Sequence, residues 1–158
     1  MPSLTDHFKS LFEYAPISLW EEDFSGIKRF FEELKRQGVA DLNGYFDQHP
    51  AGIDDCMKLI KVTHVNKETL RMFGAGSEEE LLNHLDQVFR DEMRRHFKTE
   101  LLALWNDETS WSGEGINYTL QNDPLNIRLH WQILPECLES WECVMVAIEN
   151  ITPLKKAE

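Results

Sequence analysis

Apolar residues recur along this chain with two periods, and the change from one to the other divides it. Leu4, Phe8, Leu11 and Phe12 fall at helical spacing between Leu4 and Tyr14 and form one apolar stripe. Ala15-Pro16 stops that helix, because proline cannot continue the hydrogen-bond ladder, and Ile17 to Glu22 reads as a short strand. Asp23 and Ser25 follow as turn and cap residues. Ile27, Phe30, Phe31 and Leu34 restore the helical spacing over Ile27 to Gln37, and Gly38 stands where a left-handed residue closes a helix. Shorter helices are expected from Asp41 to Gln48, ahead of Pro50, and from Ile53 to Lys58.

Leu59 to Val65 is rich in β-branched residues and breaks the helical period, so it reads as a strand. Asn66 suits the N-cap of a helix over Lys67 to Phe73, which Gly74 and Gly76 end. Ser77-Glu78-Glu79-Glu80 is a capping box that opens a helix to about Leu85. The longest helix spans Asp91 to Asn106, with Met93, Phe97, Leu101 and Leu104 or Trp105 on one face. Three β-rich segments follow, Trp111 to Gln121, Leu125 to Leu134 and Trp141 to Asn150, separated by Asn122-Asp123-Pro124 and Pro135 to Ser140. Ile127, Leu129, Trp131 and Ile133 share one strand face; Ile116, Tyr118 and Leu120 share a face of the preceding strand. The order predicts an α+β fold in which helices cover one face of an antiparallel sheet. No repeat or internal linker divides it, so residues 1–158 read as a single domain.

Charge narrows the partners. A net charge of −12 opposes binding to a phosphate backbone or to anionic lipid, which demands Lys and Arg. No apolar run approaches the roughly 20 residues that span a bilayer, and no leader-like segment opens the chain, so a cytoplasmic location is expected. Three cysteines, Cys56, Cys137 and Cys143, lack C-x-x-C spacing and read as buried thiols; Cys137 and Cys143 can face each other across a turn, but a reducing compartment would keep that pair open. The phosphate-loop, nucleophile-elbow and zinc-helix signatures are missing, and an enzyme is not expected. The acidic runs Glu21 to Asp23 and Glu78 to Glu80 read as solvated faces or helix N-termini. His64 and His130 lie in predicted strands and would need a third ligand to hold a metal, so no metal site is assigned.

Three local stretches carry a family resemblance. Leu11-Phe12-Glu13-Tyr14-Ala15-Pro16 followed by Leu19-Trp20-Glu21-Glu22-Asp23 resembles the opening of a PAS domain, where a helix ending in Ala-Pro feeds the first strand. Val65-Asn66 with Leu70, Phe73 and Gly74 is similar to the family's strand-to-helix element. Glu149-Asn150-Ile151-Thr152-Pro153 resembles the Asp-Ile-Thr element that leads from the last strand into a signalling helix, with Asn150 in place of the usual Asp, so neutral hydrogen bonds replace an anchoring salt bridge. The first two strands of the family are joined by a short turn; here a helical insert over residues 26–58 separates them.

The resemblance implies a PAS-like five-stranded antiparallel sheet, an N-terminal helix over 1–14, helices on one face, and a signalling linker beginning at 151–158. It implies a pocket on the concave face lined by Phe73, Phe97, Tyr118, Trp131 and Ile133, and a signal exit at Asn150, Ile151 and Thr152. It implies a sensory input domain of the two-component type that binds a small molecule or protein partner, forms a homodimer, and passes its signal to a C-terminal effector in the parent protein, a kinase or a cyclic-dinucleotide enzyme, that would follow Lys155-Lys156-Ala157-Glu158. The cofactor is open: haem would use His96, which the pattern places beside Phe97 on the polar side of the long helix, and the Asn-Cys-Arg flavin photosensor motif is missing. Two other readings are an interaction scaffold that dimerises without ligand and a small cone-shaped isomerase or dehydratase.

Overall fold

The computed structural model describes residues 3–157; Met1, Pro2 and Glu158, the extremes of the predicted boundaries, lie outside the described residues. Ser3 caps helix α1 (Leu4–Glu13), its Oγ accepting the Asp6 N–H at 3.1 Å, and strand β1 (Ser18–Asp23) follows. Helices α2 (Ser25–Arg36), α3 (Leu42–Gln48) and α4 (Ala51–Leu59) form the predicted insert before strand β2 (Lys61–Val65). Gly38 adopts φ +89° and the chain turns back there, with Val39 N–H on the Leu34 carbonyl at 3.0 Å. Helices α5 (Lys67–Phe73), α6 (Glu78–Leu82), α7 (Leu85–Val88) and α8 (Met93–Trp105) lead to strands β3 (Ser110–Tyr118), β4 (Pro124–Ile133) and β5 (Val144–Asn150), and α9 (Thr152–Ala157) leaves the sheet.

Among the described residues the five strands form one antiparallel sheet in the order β2-β1-β5-β4-β3. The first strand therefore lies inside the sheet, between β2 and β5, despite the insert. A bulge between Glu21 and Glu22 absorbs one extra residue of β2. Helices α5 to α8 cover one face. The insert packs beside α8, where Phe31 meets Trp105 edge-on at 5.1 Å, so it widens the helical layer and leaves the pairing of β1 with β2 intact.

Three sequence expectations change. The helix expected to run to Leu85 is two helices, because His84 leaves helical geometry at φ −130° and its ring nitrogen bonds the Glu80 carbonyl at 2.7 Å. The last strand begins at Val144 rather than Trp141, since Trp141 sits at φ +62°, incompatible with a strand. The thiol reading holds for Cys56, which is buried and free, whereas Cys137 and Cys143 form a disulfide across the β4–β5 connection with Cα atoms 5.7 Å apart. Burial and the neighbouring Asp55 push the Cys56 thiol up to about 12.

Candidate functional site

The covered face of the sheet gathers what the alternation of β4 promised. Ile127, Leu129, Trp131 and Ile133 are all buried, and the register sets Trp131 beside Val146 of β5 and, one strand further, Trp20 of β1. Above them α8 lowers Met93, Phe97, Leu101 and Leu104 onto the sheet. Its approach over β3 is close because Gly115 has no side chain: a Cβ there would lie 2.9 Å from Met93 Sδ and 3.2 Å from His96 Nε2. His96 is half-buried against that strand rather than on the polar side of its helix. Edge-to-face contacts lock the interior: Phe24 on Trp131 at 5.7 Å and Phe73 on Trp20 at 5.8 Å.

Polar groups interrupt this apolar layer at a few points. Trp131 Nε1–H donates to Glu100 Oε1 at 2.8 Å, tying α8 to β4 near its C-terminal end. Glu22 points to the same face from β1, where the register places it level with Val144, which is itself opposite Ile133. Burial pushes the Glu22 carboxyl from its ordinary 4.5 to about 8. Glu100 is pushed to about 8 as well, by burial and then by the charge of Glu22, against the opposing pull of the Trp131 N–H. The solvated-face reading of Glu21 to Asp23 thus fails at Glu22: alternation sends Glu21 outward and Glu22 inward with Trp20. On β3, the fully buried Asn117 leaves both its amide oxygen and its amide nitrogen without a protein partner. Two carboxylic acids that hold protons near neutrality equip this end of the face to bind or release a proton and to hydrogen-bond a small polar molecule; the unpaired amide lies about 20 Å along the same face, opposite Leu125.

Of the predicted pocket residues, Phe73, Phe97, Trp131 and Ile133 belong to one buried cluster. Tyr118 does not join them. It pairs with Pro124, and Gly115 pairs with Ile127, so alternation puts Tyr118 on the face opposite Trp131, half-buried, with the Arg90 guanidinium 3.8 Å from its ring centre. His64 and His130 both face that other side but lie three strands apart, about 14 Å by strand spacing. His64 is flanked by Glu78 at 2.6 Å and Glu13 at 3.6 Å, and His130 Nδ1 bonds Ser112 Oγ at 2.6 Å. Among the described residues no group of three or more His, Cys, Asp or Glu comes together as a metal site, and no helix is long and apolar enough to cross a membrane.

At the exit, Asn150 Oδ1 accepts the Thr152 N–H at 3.0 Å, a neutral bond as the Asn substitution predicts. Ile151 is buried, its N–H on the Asn126 carbonyl at 2.8 Å, while Asn126 N–H donates to Thr152 Oγ1 at 2.9 Å. At the same end of the sheet, two strands away, the buried Asn66 joins α1, β1 and α5: Nδ2 donates to the Phe12 and Ile17 carbonyls at 3.0 and 2.9 Å, and Oδ1 accepts the Leu19 and Thr69 N–H groups at 3.0 and 3.1 Å. Helix α1 lies over the outer side of β1 and β2, where Phe12 stacks on His64 at 5.3 Å and a groove of about 830 Å³ runs between helix and sheet. A second groove, of about 620 Å³, separates α3 and α4 from the start of α8.

No protein-family model and no curated protein matches the chain. Solved structures do match its fold. A PAS domain from Colwellia psychrerythraea superposes with a TM-score of 0.62 at 12% identity, covering 96% of this chain and 99% of that one. A domain of a sensory box sensor histidine kinase/response regulator from Geobacter sulfurreducens gives 0.53 at 15% identity, covering 90% and 91%. The PAS domain of a LuxR-family transcriptional regulator from Burkholderia thailandensis, solved in complex with ethanol, gives 0.56 at 10% identity, covering 92% and 97%. At these identities the likeness is one of fold.

Proposed function

We propose that this chain, which has the PAS fold, is a sensory input domain whose responsive element is the buried set Glu22, Glu100 and Trp131. The observation that carries this reading is the Trp131–Glu100 hydrogen bond inside an otherwise apolar layer, with a second carboxyl on the same face. A buried charge is costly unless compensated, so the ionisation of either acid, or its hydrogen bonding to a ligand, shifts the balance between arrangements of α8 on the sheet. The change passes along β4 and β5 to Asn150, Ile151 and Thr152, and residues 151–158 serve as the start of a signalling linker. The effector beyond is a kinase or a cyclic-dinucleotide enzyme; the kinase origin of the Geobacter relative supports the choice.

The ligand class is a small polar molecule that hydrogen-bonds the neutral acids, with Phe73, Phe97 and Ile133 as the apolar wall; the Asn117 amide lies about 20 Å further along the face, opposite Leu125, and is outside its reach. Ethanol in the Burkholderia domain is a molecule of that kind. The domain works in the cytoplasm as a homodimer through the apolar stripe of α1, whose Leu4, Phe8 and Leu11 are 70%, 59% and 55% exposed. That stripe also supports a second reading, an interaction scaffold that pairs without sensing.

Amide NMR shifts of Glu149 to Lys155, followed from about pH 6 to about pH 9, separate the two. The sensor reading expects exit amides to titrate in the wild type and to lose that titration in the Glu22→Gln/Glu100→Gln variant. Exit shifts that stay flat in the wild type, while its inner-face amides titrate, overturn it and leave the scaffold.

A further inference from the structure

The disulfide between Cys137 and Cys143 closes the β4–β5 connection around one unusual residue. Trp141 is an aromatic residue in the left-handed region, at φ +62°, where a side chain of that size is disfavoured. It is nonetheless buried. Its carbonyl accepts the Phe24 N–H at 2.8 Å, at the start of α2, and its indole meets Phe31 edge-on at 6.1 Å beneath the Lys28 ammonium at 4.9 Å. The loop therefore grips the first turns of the insert through a residue whose backbone would relax if released. The cross-link brackets that residue on both sides, and its second cysteine directly precedes Val144, the first residue of β5.

We infer that Cys137–Cys143 is a reversible thiol–disulfide site whose reduction releases Trp141 from α2 and loosens the insert. Both sulfurs belong to half-buried residues, whereas the remaining cysteine, Cys56, is fully buried. Exchange chemistry is thereby confined to the pair. The reductant is a dithiol: one of its thiolates attacks a sulfur of the bridge and expels the other as thiolate, giving a mixed disulfide. Its second thiolate then displaces the protein sulfur. Two electrons and two protons pass to the protein, which ends with two thiols, and the donor ends as a disulfide; a disulfide oxidant reverses the sequence. This inference does not require the acid pair of the inner face, and its failure leaves that reading standing.

The test uses native protein treated with thioredoxin or dithiothreitol, trapped by alkylation and compared with the oxidised form by hydrogen exchange. Two alkyl groups are expected on the pair and none on Cys56. Protection of the α2 amides is expected to fall roughly tenfold or more, with a drop of roughly 5–8 °C in Tm for opening a loop of this length in a chain of this size. Cys137→Ser/Cys143→Ser protein should show the reduced-form exchange whatever the redox state. A bridge that yields only after denaturant is added, or a reduced native protein with α2 protection unchanged, overturns the inference.

Discussion

On one face of the sheet Trp20, Trp131, Ile133 and Ile148 are almost solvent-free beneath four helices; on the other, α1 rests against β1 and β2 without burying a single one of its own residues. Both faces come from the same alternating strands. The difference lies in what each is joined to. The inner face is sealed by contiguous aromatic and aliphatic packing, so any polar group there must find a partner or change its charge state. The outer face is held mainly by point contacts, chiefly Asn66, the Phe12–His64 stack and the Lys67–Tyr14 pair, and its apolar residues stay in contact with water. A change of protonation is therefore felt as stability on the inside, whereas the outer face leaves the apolar residues of α1 open to solvent.

The sharpest break of this contrast is pH. Glu22 and Glu100 titrate higher in the folded chain than their ordinary 4.5, so between about 4.5 and about 8 the folded state holds more protons than the unfolded one. Stability contributed by the protonated acids is present below that window and is lost as pH rises through it. Urea melts at about pH 5 and about pH 9 should differ by several kcal/mol, and Glu22→Gln/Glu100→Gln protein should lose most of the difference. Next in size is Leu104→Ala, which opens a cavity beneath α8 and should cost about 2–5 kcal/mol by denaturant unfolding. Asn66→Asp removes both donations to the Phe12 and Ile17 carbonyls and sets a carboxylate against them, for about 2–3 kcal/mol and faster exchange of the amides around β1. Smallest is Phe8→Ser with Leu11→Ser on α1: stability should change by less than about 0.5 kcal/mol, while sedimentation velocity should show the proposed dimer lost. A stability loss as large as that of Leu104→Ala would mean that α1 belongs to the core after all.

The sequence announced these faces unevenly. Capping residues act on their own neighbours, and Ser77 and Asn66 took up the bonds their positions predict, to the Glu80 and Thr69 N–H groups. The alternation in β4 named its buried side correctly because hydrophobicity and period agreed there. Tyr118 was placed with Trp131 because nothing local tells how β3 registers on β4; pairing Gly115 with Ile127 settles it. Glu22 and Glu100 were visible in principle: the first stands two residues from Trp20 in a strand, the second between Phe97 and Leu104 on the apolar stripe of its helix. Their burial runs against the usual solvation of carboxylates, and only packing beneath α8 decides it. The disulfide depended on a turn geometry that spacing alone does not encode.

Asn126 holds the departing chain by two hydrogen bonds, one on each side of the peptide that joins Ile151 to Thr152, with Ile151 sunk into the protein between them. Such a fastening leaves no slack at the root of α9. The helix is keyed to β4 as a shaft is keyed to a hub, so a tilt of that strand is carried into α9 itself rather than being dissipated in a floppy hinge.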